Sequence, residues 1–152
     1  MRWRSQLALI AELEYFIMKS TLLISLTLVA TLANACYGKD EINTVPVNFE
    51  KGSSSSTLQG SFKGYGSVLH TLVARAGQKM TIRITGSRNA NFNIFAPGQT
   101  PGSSAALGSG YVGGDWSGTL SETGRYTVQV YQPRATARRG TEVAYSIYFR
   151  VQ

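Results

Sequence analysis

"KMTIRIT", Lys79–Thr85, alternates with a period of two: Met80, Ile82 and Ile84 fall on one side, Thr81, Arg83 and Thr85 on the other. An extended chain sends successive side chains to opposite faces, so this stretch predicts a strand with one face on a core and one in water. The pattern recurs on both sides of it. Downstream, "RYTVQVYQ" (Arg125–Gln132) puts Tyr126, Val128 and Val130 on one face, and "AYSIYFRVQ" (Ala144–Gln152) does the same with Tyr145, Ile147, Phe149 and Val151. Upstream, "TVPVNFE" (Thr44–Glu50) sets Val45, Val47 and Phe49 against Thr44, Pro46 and Asn48. Pro46 assigns that strand to an edge, where a missing N–H harms no ladder. "TLQGSFKG" (Thr57–Gly64), "SVLHTLVAR" (Ser67–Arg75), "NFNIFAPG" (Asn91–Gly98) and "DWSGTL" (Asp115–Leu120) read as further strands. Between them lie turn signals at Gly52–Ser56, Ala76–Gln78 and Glu122–Gly124. The stretch Gln99–Gly114, rich in Gly, Ser, Ala and Pro, has no period and reads as one long loop. About eight short strands without a helical period predict an all-β fold, an antiparallel two-sheet sandwich over residues 45–152, with no repeat and no second domain.

The amino-terminal third is of a different kind. "MKSTLLISLTLVATLANA", Met18–Ala35, has a short basic start, an apolar run and a closing Ala33-Asn34-Ala35, the layout of a secretory signal with an A-x-A cleavage site. The apolar run is too short for a permanent bilayer-spanning helix. Residues 1–17, which include Glu12 and Glu14, add nothing a signal needs. They read as an extension ahead of a true start at Met18, the alternative being a cytoplasmic helix. Residues 36–44 form a short polar leader. Cleavage after Ala35 leaves 117 residues beginning at Cys36, with 12 Lys and Arg against 6 Asp and Glu, a net of +6. A single cysteine permits no internal disulfide, so stability must come from the core. Asn34, where a lipoprotein signal carries a small or apolar residue, favours a soluble periplasmic product over a lipid anchor on Cys36. Mass spectrometry of the processed protein is expected to show an unmodified Cys36 as the first residue. A diacylglyceryl mass there would mean an anchored lipoprotein.

The composition removes most chemistry. Hydrolysis needs an activated nucleophile or an acid–base pair. The only histidine, His70, shares its parity with Leu72 and Ala74 in an apolar strand, which makes it a core or interface residue. Asp40, Glu41, Glu50, Asp115, Glu122 and Glu142 lie mostly at strand ends and turns, and no pair sits where a glycosidase would hold two carboxylates. One His and one Cys make neither a zinc nor a haem site, so no metal or cofactor is expected. The glycines Gly108, Gly110, Gly113 and Gly114 precede no helix that could receive a phosphate. The chain does not read as an enzyme.

Binding remains. "YQPRATARRG", Tyr131–Gly140, crowds three arginines and no acid into one connection between strands. It is either a solvated turn or a surface on which Arg134 and Arg138 reach for a carboxylate on another molecule. Lys63, Tyr65, Arg134, Arg138 and Arg139 could imitate a nucleic-acid face, but export argues against that partner. Trp116, Tyr111 and Tyr148 are the candidates for a polysaccharide-binding module, although a tryptophan in a strand is more often core.

Taken together, "VNFEKGSSSSTLQGSFKGY" (Val47–Tyr65), "AGQKMTIRI", "NIFAPG", "TGRYTVQV" and "RATARR" resemble the periplasmic inhibitors of g-type lysozyme, from about Val45 to the C-terminus. "AGQK" and "TGRYTVQV" alone are also similar to pre-peptidase C-terminal-like β-sandwiches; the co-occurrence of "FKGY" with "RATAR" is more specific. The resemblance implies that Tyr65, Arg134 and Arg138, with a weaker contribution from Lys63, meet the lysozyme, and that the partner is that protein rather than nucleic acid or membrane. A lysozyme holds a general-acid carboxylate in a partly desolvated cleft. A planar guanidinium can bond it through two parallel N–H···O contacts that lysine cannot copy. The other reading is a non-catalytic sandwich module for polysaccharide or a cell-envelope partner.

Overall fold

The computed structural model describes residues 40–152. The extension, signal, cleavage point and Cys36 readings fall outside them. The elements are β1 (Ile42–Pro46), β2 (Ser55–Lys63), β3 (Ser67–Ala74), β4 (Lys79–Gly86), β5 (Asn91–Phe95), β6 (Gly108–Tyr111), β7 (Trp116–Thr119), β8 (Gly124–Tyr131), a single helical turn α1 (Arg134–Ala137), and β9 (Glu142–Val151). They form a five-stranded sheet in the order β1-β3-β8-β5-β6 and a four-stranded sheet in the order β2-β9-β4-β7.

The alternation in the sequence is the alternation in the sandwich. Met80, Ile82 and Ile84 of β4, Tyr126, Val128 and Val130 of β8, and Tyr145, Ile147, Phe149 and Val151 of β9 are all buried in one core. β8 is the middle strand of its sheet, bonded to β3 and β5, and β9 lies between β2 and β4. The Tyr126 hydroxyl donates to the Glu122 carbonyl at 2.7 Å and accepts from the Glu122 N–H at 3.3 Å. Those bonds brace the turn into β8 and satisfy the one polar atom this ring carries toward the core. Val128 has no exposed surface, so Val128→Ala is expected to cost about 1–3 kcal/mol through lost burial and a small cavity. Thr127→Ala, on the opposite face, is expected to cost about 0.5 kcal/mol or less. Denaturant titration of the two variants checks this, and reversed costs would contradict the parity.

Four local readings change. First, the edge strand begins at Ile42 and ends at Pro46, so it takes in residues read as leader and stops before Val47 and Phe49. Second, β1 pairs with β3 in parallel, Ile42 opposite Ser67 and Pro46 opposite Thr71. The chain leaves β1, crosses to the other sheet for β2 and returns for β3, and two reversals restore the original direction. Every other strand pair is antiparallel.

Third, the supposed loop Gln99–Gly114 contains β6, which pairs with β5 (Phe92 opposite Gly110, Ile94 opposite Gly108). Its inward positions are glycines. A Cβ on Gly108 would strike the Trp116 indole, and one on Gly110 would strike the Phe92 ring. The large rings fill the space an apolar side chain would occupy, so the strand shows no apolar period. Fourth, the arginine connection contains the helical turn α1, four residues long and too short to show a helical period.

Candidate functional site

Topology gathers the site. The chain passes from the four-stranded to the five-stranded sheet through Gly64–Gly66, between β2 and β3. It returns through Gln132–Thr141, between β8 and β9. Because β2 pairs with β9 and β3 with β8, both crossings lie at the same end of the sandwich, side by side. Lys63 stands opposite Glu142, Val68 stands opposite Val130, and the Gly64 N–H donates to the Thr141 carbonyl at 3.1 Å. Residues about seventy apart in the chain thereby share one surface.

The first crossing is tight. Gly64 has φ +61°, a left-handed conformation that costs a residue with a Cβ. The Gly66 N–H closes the turn onto the Lys63 carbonyl at 3.0 Å. Between the two glycines Tyr65 is pushed outward, 49% exposed. A tyrosine has few rotatable bonds and one polar tip, so it offers rigid contact area at low ordering cost.

The second crossing is built on Pro133 and α1. Pro133 takes φ −58° and ψ 145°, an extended entry to the turn. Its carbonyl accepts from the N–H groups of Thr136 and Ala137 and from the Thr136 hydroxyl, the last at 2.8 Å. Ala137 is buried and fixes the turn against the body. Arg134 and Arg138, four residues apart on that turn, share a face, and both are exposed. Arg139 follows one residue later, about 100° further round in helical geometry. Among the described residues these arginines form no ion pair; the pair present, Arg83 Nε to Asp115 Oδ2 at 3.0 Å, is on β4 and the approach to β7. Backbone geometry thus fixes where these side chains leave the turn, and among the described residues their guanidiniums have no counter-charge. Lys63 runs beside this turn, its Cε near Gly140.

One further side chain lies between the crossings and carries no signal in the sequence. Gln132 is 6% exposed, and its Nε2 donates to the Gly64 carbonyl at 2.9 Å and to the Thr141 carbonyl at 2.7 Å.

The residues considered for a sugar platform do not converge. Trp116 packs inward over Gly108 and Gly118. Tyr111 is exposed on β6 of one sheet, and Tyr148 lies on the outer face of the other, with the Arg83 guanidinium 5.8 Å above its ring. His70 is a core residue, 1% exposed. Its Nε2 bonds the Tyr145 hydroxyl at 2.8 Å and its Nδ1 has no partner. Burial pushes its pKa down to about 4, so at neutral pH it is uncharged and sealed from any substrate.

A two-sheet sandwich that holds one rigid aromatic and an unpaired arginine turn at one end is a binding module acting through its surface. The chain belongs to the family of periplasmic inhibitors of g-type lysozyme. It is similar to the Aeromonas hydrophila PliG, described as a periplasmic lysozyme inhibitor of g-type lysozyme, with 53% identity, 74% of this chain and 99% of that chain covered, and a TM-score of 0.73. The Salmonella Typhimurium PliG structure matches with 28% identity, 72% and 98% coverage, and a TM-score of 0.58. The Escherichia coli K12 inhibitor of g-type lysozyme is 29% identical over 108 residues, 71% of this chain and 80% of that protein. No family model matches the chain.

Proposed function

We propose that this protein inhibits g-type lysozyme in the periplasm by seating Tyr65, Arg134 and Arg138 in the enzyme's active-site cleft, with Lys63 at the rim. The observation that carries the reading is the juxtaposition of the two crossings. It brings an exposed tyrosine and two unpaired arginines onto one braced end of the sandwich. The guanidiniums supply paired N–H donors for the catalytic carboxylates, and a turn already fixed by Pro133 and Ala137 lowers the ordering cost of docking. Occupying the cleft protects peptidoglycan without any chemistry by the inhibitor.

The test is a titration of g-, c- and i-type lysozyme activity with the purified protein. Stoichiometric loss of g-type activity supports the reading. Undiminished g-type activity overturns it and leaves the polysaccharide or envelope-binding module. Tyr65→Ala is expected to weaken inhibition with little dependence on salt, because its contribution is contact area. A Tyr65→Ala penalty that shrinks steeply between low and high salt would place its role in electrostatics instead.

A further inference from the structure

We propose that Gln132 is the positioning residue of the inhibitory surface, holding the Tyr65 turn and the arginine turn in one register; this rests on the function proposed above. Gln132 is the first residue after β8 and itself makes no contact with solvent that a partner could use, being 6% exposed. Its two amide hydrogens go to two carbonyls on different crossings, Gly64 beside Tyr65 and Thr141 at the exit of the arginine turn. A primary amide suits this place because it carries two donors on one atom, spread at a fixed angle. The orientation is dictated by the neighbours, since the flipped amide would set its oxygen against two carbonyl oxygens.

The other end of the amide makes the case sharper. Gln132 Oε1 is buried with no partner, a condition that native interiors generally avoid. An apolar residue here would spare the cost of burying Oε1 but would take the Nε2 donors from the Gly64 and Thr141 carbonyls, so the side chain serves stability as well as register. What Gln132 uniquely supplies is the link between the crossings, which share one direct backbone bond, Gly64 N–H to Thr141 carbonyl. With the amide removed, the Tyr65 turn and the arginine turn are free to shift relative to each other by the small distances that misplace a bidentate contact.

Two variants test this. Gln132→Met keeps the length and loses both donors; Gln132→Asn keeps the amide but is one methylene too short to reach both carbonyls. Each is expected to weaken g-type lysozyme inhibition at least about tenfold at a temperature well below its melt. In a Tyr65→Ala background the same change is expected to cost clearly less than in the wild type, because one of the two elements whose register it sets is gone. Amide hydrogen exchange on the free protein is expected to speed up at Gly66 and Ala137, whose N–H groups close the two turns onto Lys63 and Pro133, and to stay unchanged at Val128 and Ile147. Inhibition within about twofold of wild type, or an equal penalty in both backgrounds, would overturn the proposal, as would unchanged exchange at Gly66 and Ala137. If Gln132→Met does not fold, Gln132→Asn carries the test. Failure of the wild-type protein to inhibit would count against the proposed function alone, and the exchange measurement would still decide whether Gln132 couples the two turns.

Discussion

Between pH 6.5 and about pH 4 the protein is expected to lose stability through His70, on the order of 3 kcal/mol if the full shift is expressed. His70 sits between the sheets, with the Tyr145 ring edge-on at 5.9 Å and the Phe149 ring at 5.6 Å. Burial disfavours its charged form and lowers the folded-state pKa below the ordinary histidine value of 6.5. The unfolded chain therefore binds the proton first. Stability is fully present above the unfolded value, falls as the pH drops through the window, and levels off below the folded value. Tyr145 does not relieve the charge: burial pushes its own pKa upward, so it remains a neutral phenol. In the charged ring both nitrogens carry a proton, and the N–H at Nδ1 would face no partner. Denaturant titrations across the window check this on wild type and His70→Gln. The variant costs stability at neutral pH, and its stability is expected to vary much less with pH. A variant as acid-sensitive as the wild type would assign the loss to other groups.

The second large effect is on inhibition. Arg134→Ala and Arg138→Ala are each expected to weaken it by roughly 2–4 kcal/mol, the scale for a buried interfacial charge pair. Folding should barely change, since both side chains are exposed and, among the described residues, pair with no acid. Arg134→Lys should restore little, because a point charge does not replace the planar fork. Arg139→Ala, displaced round the turn, should cost about 1 kcal/mol or less as a rim charge. Residual lysozyme activity against inhibitor concentration, with thermal melts alongside, measures all four. Full inhibition by a folded double variant lacking both Arg134 and Arg138 side chains would exclude the arginine turn as the inhibitory element.

The sandwich was legible wherever a strand buries large side chains on one face, as β4, β8 and β9 do. β6 was hidden because its inward positions are glycines making room for Trp116 and Phe92, so the apolar half of the pattern belongs to other strands. The parity of His70 marked it as core, but its partner Tyr145 lies 75 residues away and no local pattern names it. The site was legible in part. An acid-free run of arginines stands out in composition, and the spacing of Arg134 and Arg138 matters once α1 puts them on one face. That Tyr65 lies beside them follows from strand order, a property of the whole topology. Gln132 was invisible for the same reason, since its role consists of two backbone carbonyls far apart in the chain.

The central claim is occupancy of the cleft, and the most direct measurement is the mode of inhibition. Initial rates of g-type lysozyme on a soluble peptidoglycan fragment, taken over a range of substrate and inhibitor concentrations, should show competitive inhibition. The apparent KM should rise with inhibitor while kcat stays constant, and the Arg134→Ala, Arg138→Ala double variant should lose most of that rise. Inhibition that lowers kcat and persists at saturating substrate would contradict the account, because it would place the bound protein away from the active site.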